Sequence, residues 1–129
     1  MSRRYITGWF DDPADARPDR EPTTTRPLFT HEANYHPDGG QIFVPRRRAP
    51  FVALLALPRD DVTLDDFRAF WCDGSFGLHI DPCVWHQPLF PAADQLDFNY
   101  AQGAVHASVG IDYFQEFGAY IEVPLPRQV

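Results

Sequence analysis

The sequence predicts a small, mainly β domain, a sandwich or barrel with one short helix, and three observations carry that prediction. Thirteen prolines and eight glycines among 129 residues interrupt the chain too often for long helices. Short apolar runs rich in Val, Ile and aromatic residues lie between Gly, Pro and Asp clusters, as short strands do. With 44% hydrophobic residues, the length suits one domain with a core of its own.

The elements follow in order. Residues 1–30 read as an extended, proline-rich N-terminal arm and residues 31–129 as the compact β domain. Within the arm, residues 5–10 read as a short strand carrying Tyr5, Trp9 and Phe10. Pro13, Pro18, Pro22 and Pro27 then favour extended chain, either a disordered leader or an arm docked on a partner subunit. Residues 41–44 and 51–57 read as strands, the second apolar on both faces and therefore central. Residues 46–50, with Arg46, Arg47 and Arg48, read as a hairpin-like turn between them. Thr63 as N-cap with Asp66 three residues on predicts a helix over 64–71, ended by Asp73-Gly74-Ser75. Shorter strands are expected at 76–80, 84–86, 95–100, 105–113 and 119–123. No internal repeat is visible.

Charge and cysteine usage exclude several classes. The net charge is −7 and every basic residue is arginine, so a basic nucleic-acid-binding face is not expected. No apolar run approaches the ~20 residues of a membrane span. Met1-Ser2-Arg3-Arg4-Tyr5 leads into no apolar stretch, so a secretory signal is not read. Cys72 and Cys83 are too few for a disulfide scaffold and lack metal-site spacing, so a reduced, cytoplasmic protein is expected. Cys83 follows a proline with no helix after it and reads as a buried small residue rather than a nucleophile.

Histidines mark the chemistry. His36 and Gln41 stand five residues apart across a Gly39-Gly40 turn, after Asn34. His86 follows the turn at Asp81-Pro82. Strand alternation in 105–109 puts His106 and Ser108 on one face, opposite Val105, Ala107 and Val109. The same alternation places Tyr120 with Glu122.

One ordered set of residues is recognisable. It comprises His36-Pro37 with Gln41, Phe43 and Pro45, then Phe51-Val52, then Leu64-Asp65-Asp66-Phe67-Arg68-Ala69-Phe70. It continues through Asp73-Gly74, Gly77, Val84-Trp85-His86-Gln87-Pro88-Leu89 and Asp97-Phe98. In this the chain resembles the ureidoglycolate lyase family. The resemblance implies a cupin-type barrel (a double-stranded β-helix, or jelly-roll), a homodimer, and cleavage of ureidoglycolate to glyoxylate and urea in allantoin catabolism. Laid on the cupin metal motifs, Asn34 stands at the first histidine, His36 at the second, Gln41 at the carboxylate and His86 at the second motif. Two imidazoles with neutral amides are a poor divalent site, so a metal on His36, Gln41 and His86 is considered and not favoured.

Two stretches depart from the family pattern. Asp81 stands where the family has a histidine five residues before the histidine of the Val-Trp-His motif. Asn99-Tyr100-Ala101-Gln102-Gly103-Ala104-Val105-His106 replaces an Asp-Arg-Gly-Gly-like run after Asp97-Phe98. For C–N cleavage, His36, His86 or His106 supplies the base or acid by its intrinsic pKa of about 6.5. Asp81 would orient a histidine. Asn34 and Gln41 would hydrogen-bond an amide or urea, with Tyr100, Tyr120 and Glu122 as further contacts, and Arg46 would hold a carboxylate. The expected partner is a small organic acid. The alternatives are a metal-dependent cupin of other chemistry (isomerase, decarboxylase or dioxygenase) and a non-catalytic small-ligand-binding cupin.

Overall fold

The computed structural model describes residues 4–6, 26–93, 95–104 and 107–125. It is mainly β, as the sequence predicts. The strands are β1 (Arg4–Ile6), β2 (Arg26–Thr30), β3 (Glu32–Tyr35), β4 (Gln41–Pro45), β5 (Phe51–Ala56) and β6 (Arg68–Cys72). They continue with β7 (Leu78–Ile80), β8 (Trp85–His86), β9 (Phe90–Pro91), β10 (Phe98–Gln102), β11 (Val109–Asp112) and β12 (Tyr120–Leu125). One helix, α1 (Tyr113–Phe117), lies between the last two. Among the described residues no helix is long and apolar enough to cross a membrane.

Three sheets form two layers of packing around one central sheet. That central sheet runs β11-β3-β8-β5-β6, with β9 also paired to β5. Its β5 strand is apolar on both faces because each face meets a core. Val52, Leu54 and Ala56 pack with Trp85, Phe67, Tyr113, Ile121 and Val123, under the sheet β1-β12-β2. Phe51, Ala53 and Leu55 pack the other way, with Phe43, Leu78 and Phe98 of the sheet β10-β4-β7. Burying a side chain of this size contributes roughly 1.5–3 kcal/mol, so β5 anchors both layers. Of the proline-rich segment 1–30, residues 4–6 run parallel to β12 and residues 26–30 antiparallel to it. Residues 7–25 lie outside the described residues.

Three local expectations are corrected. The helix expected over 64–71 is a single 3-10 turn at Leu64–Asp66, followed by β6. The capping signal is real: Asp66 Oδ2 accepts from the Thr63 backbone N–H at 2.7 Å. Phe67 then turns extended, fully buried, with its ring 5.3 Å from that of Tyr113. The next five residues complete the edge of β5, whose backbone groups need partners. Residues 46–50 are not a hairpin turn, because β4 and β5 belong to different sheets and the segment carries the chain across. Of the strand expected over 105–113, the described residues form β11 at Val109–Asp112, which gives way to α1. There Asp112 caps the helix by accepting from Gln115 N at 2.9 Å, and Gly118 closes it at φ 65°.

Asp66 gives the fold a pH signature. Burial alone would raise its pKa, yet the Thr63 backbone and hydroxyl bonds and the Arg59 guanidinium outweigh burial and hold it below 3.8. A carboxyl depressed in the folded state stabilises above its unfolded pKa and loses that contribution as pH falls through the folded value. Asp66→Asn is therefore expected to cost about 1 kcal/mol at neutral pH. In urea melts the gap to wild type should close as pH falls through the lowered folded-state pKa of Asp66; a gap independent of pH contradicts this.

Candidate active site

The interlayer space between the central sheet and β10-β4-β7 changes character at one end. Along most of its length it is the apolar core of Phe51, Ala53, Leu55, Phe43 and Phe98. At the β3–β8 end the inward residues become polar. His86 lies directly opposite Leu55 on one side and Asn34 on the other, so all three side chains share the inner face. Gln41, two residues before the inward Phe43, faces the same space from β4. His36 and His86 are 6% and 5% exposed, and their ring centroids lie 5.0 Å apart.

Local structure fixes both imidazoles. His86 Nδ1 lies 2.9 Å from the Val84 carbonyl and His36 Nδ1 lies 2.9 Å from the Ala107 carbonyl. A carbonyl oxygen only accepts, so each Nδ1 must carry the proton. In the neutral ring each Nε2 then holds a lone pair, the form a base needs. The β7–β8 turn adds a further tie. Pro82 and Cys83 occupy its centre, with Cys83 at φ 65°, and the Cys83 N–H donates to the His36 carbonyl at 2.9 Å. Asp38 Oδ1 accepts from Ala107 N at 3.1 Å, binding the loop after His36 to the strand-end that holds its ring.

Gln41 is oriented from β10. Its Nε2 donates to the Tyr100 hydroxyl at 2.8 Å and to Gln102 Oε1 at 3.3 Å, while the Tyr100 hydroxyl donates to Gln102. This arrangement turns Gln41 Oε1 away from its neighbours. Gln41 Oε1 and Asn34 Oδ1 are both buried and have no hydrogen-bond partner among the described residues. Each such orphan costs about 1–3 kcal/mol, which marks the pair as a place for donors brought by a ligand.

The structure brings Asn34, His36 and His86 together on the central sheet, sets Gln41 with Tyr100 on the sheet β10-β4-β7, and separates the other candidates. Asp81 orients neither His36 nor His86: its carboxylate is 76% exposed and lies 3.1 Å from His79 Nδ1. Tyr120 and Glu122 sit on the face of β12 opposite the core residues Ile121 and Val123, beyond the central sheet from His86. Tyr120 stacks on Phe114 there at 5.2 Å. The Arg46 side chain is exposed, in the crossing segment, where its backbone N–H donates to Asp97. His106 lies outside the described residues. Burial pushes the Cys72 thiol up to about 11, with Asp73 adding to the effect, so it is no nucleophile. Cys83 is half-buried rather than buried.

Comparison with known proteins places this geometry. A family model described as ureidoglycolate lyase matches residues 24–123, most of the chain. The chain belongs to the ureidoglycolate lyase family. Curated relatives named ureidoglycolate lyase from Salmonella paratyphi B, Salmonella newport and Salmonella typhimurium are each 40% identical over 72 residues. That match covers 56% of this chain and 45% of each relative. The chain therefore spans less than half the length of these relatives in the match.

The metal site considered on His36, Gln41 and His86 can be tested against the side chains present. Among the described residues no group of three or more His, Cys, Asp and Glu side chains could hold a metal ion. Among the described residues the donors at the site are two imidazoles and two neutral amide oxygens. That set lacks the third imidazole or carboxylate that zinc and iron sites use, so it does not fit such an ion.

Sequence reasoning missed one residue of this neighbourhood. Register pairs Arg68 with Leu55, the same Leu55 that faces His86. Arg68, Leu55, His86 and Asn34 therefore form one row across the inner face. Arg68 belongs to the recognisable set of residues, yet only strand pairing places it in line with the histidines.

Proposed function

We propose that the chain is a ureidoglycolate lyase, splitting the C–N bond of ureidoglycolate to release glyoxylate and urea at the His36–His86 site. The observation that carries the reading is the pair of orphaned amide oxygens on Asn34 and Gln41, facing the space that the two imidazoles line. A ureido group is rich in N–H donors, which those acceptors lack. Family membership and the names of the relatives support the same substrate.

The reaction needs one proton moved and no redox partner. His86 Nε2 takes the proton of the substrate hydroxyl, and the oxygen's electrons form the aldehyde C=O as the C–N bond breaks. The departing ureido nitrogen gains a proton, returned by His86 or passed through His36 beside it. Asn34 and Gln41 hold the ureido N–H groups through both states, so the leaving group departs already oriented. We place this enzyme in the cytoplasm as a homodimer with a cupin-type barrel. The exposed Phe29, Phe114 and Tyr120 at the outer sheet support the dimer, and a hydrodynamic size of ~15 kDa would contradict it.

The test is purified protein with ureidoglycolate, with glyoxylate, urea and ammonia measured together. Glyoxylate and urea in equal amounts are expected, without ammonia. Ammonia in place of urea would assign a hydrolase, and untouched substrate would leave a binding protein.

A further inference from the structure

We propose that Arg68 is the carboxylate anchor of this site, acting from a cavity beside His86; what the carboxylate belongs to rests on the lyase reading above. The cavity, of about 570 Å³, is lined by Leu55, Arg59, Asp66, Arg68, His79 and Asp81, among others. Of its two arginines, one is matched by a carboxylate. Arg59 Nη1 lies 2.7 Å from Asp66 Oδ1, and His79 Nδ1 lies 3.1 Å from Asp81 Oδ1. Arg68 has only neutral acceptors: its Nη1 donates to the carbonyls of Asp65 at 2.5 Å and Phe67 at 2.9 Å. Among the described residues of the lining, it is the cation that no carboxylate balances.

That arrangement suits an anion in two ways. The carbonyl bonds hold the guanidinium by one nitrogen, and the Nε and Nη2 donors remain as the edge that grips a carboxylate with two parallel bonds. Placement agrees. Arg68 is on the edge strand β6, two strands from His86 in the same row, so their backbones are ~10 Å apart. The Arg68 side chain is exposed at the sheet edge, so an acid gripped there reaches past Leu55 toward His86. A substrate entering past the sheet edge meets Arg68 first and is then aligned with its hydroxyl toward His86 and its ureido group toward Asn34.

The test compares wild type with Arg68→Ala and Arg68→Lys. One readout is turnover of ureidoglycolate. The other is calorimetric binding of oxalurate, the unreactive 2-oxo analogue, and of its neutral amide. Loss of charged hydrogen bonds predicts that R68A raises KM and weakens oxalurate roughly 10- to 100-fold, with kcat within about 3-fold. R68K, keeping the charge without the fork, should recover part of that loss. The neutral amide should bind all three proteins alike. Arg48→Ala, whose partner is Asp73 outside the cavity, should match wild type. Unchanged oxalurate affinity in both Arg68 variants overturns the proposal, as does an equal loss for the neutral amide or no oxalurate binding by wild type. Should wild type fail to turn over ureidoglycolate while R68A still loses oxalurate, the lyase reading falls and the Arg68 assignment stands.

Discussion

His86→Gln is expected to lower kcat for ureidoglycolate cleavage by about 10²- to 10⁴-fold, the usual worth of a positioned general base. Glutamine approximates the ring's size and can still donate to the Val84 carbonyl, so strand β8 and its pairing with Asn34 and Leu55 should survive. What it cannot do is accept and release a proton. KM should change little, because Asn34 and Gln41 still present their oxygens to the ureido group. Circular dichroism and the melting temperature should match wild type, and a kcat within 3-fold of wild type would remove His86 from the mechanism.

Among the glycines compared, Gly74→Ala should produce the largest loss of stability. Gly74 sits in the turn after β6 at φ 83°, a conformation that costs an L-residue about 1–2 kcal/mol. A Cβ there would lie 2.3 Å from the Ala49 carbonyl oxygen and 2.5 Å from the Ala49 nitrogen. Those are backbone atoms of a buried residue, packed beside Phe51 and Cys72, and no side-chain rotation relieves the overlap. Moving them pulls on the start of β5, which both cores share. Strain and displacement together should cost about 3 kcal/mol or more, a fall of about 10 °C in the melting temperature. A melting temperature within 2 °C of wild type would show the turn to be looser than its geometry requires.

How much of this was legible in the sequence depends on whether the deciding contacts are local. β5 was legible because seven consecutive apolar residues, 51–57, can be satisfied only between two cores. The partnership of His36, Gln41 and His86 was legible through family resemblance and the turns that flank them. The stretch after Thr63 misled because its capping signal is sound, yet its continuation alternates. Ala69 and Trp71 turn to one core while Arg68, Phe70 and Cys72 turn away, a period of two that a strand satisfies and a helix does not. At the other end, Val109, Ile111 and Tyr113 continued a strand pattern past the point where Asp112 and Gly118 cap a helix.

The site's missing parts were non-local. Asp81 looked like a partner for His86 because only a turn separates them, but that turn aims it at His79 instead. Tyr120 and Glu122 alternate correctly along β12, and no local pattern says which layer their face belongs to. Arg46 and Arg68 are equivalent by chemistry, and only the register of β5 with β6 and β8 puts one of them in line with the histidines.

The measurement that tests the central claim most directly is ¹⁵N NMR of the histidine imidazoles, titrated with oxalurate and assigned through single variants. Before oxalurate is added, His36 and His86 should carry their proton on Nδ1, as their carbonyl partners require. On saturation the Nε2 resonance of His86 should shift, while exposed His31, beside Glu32, should not. A titration that moves His31 and leaves His36 and His86 unchanged would contradict the placement of the reaction between β3 and β8.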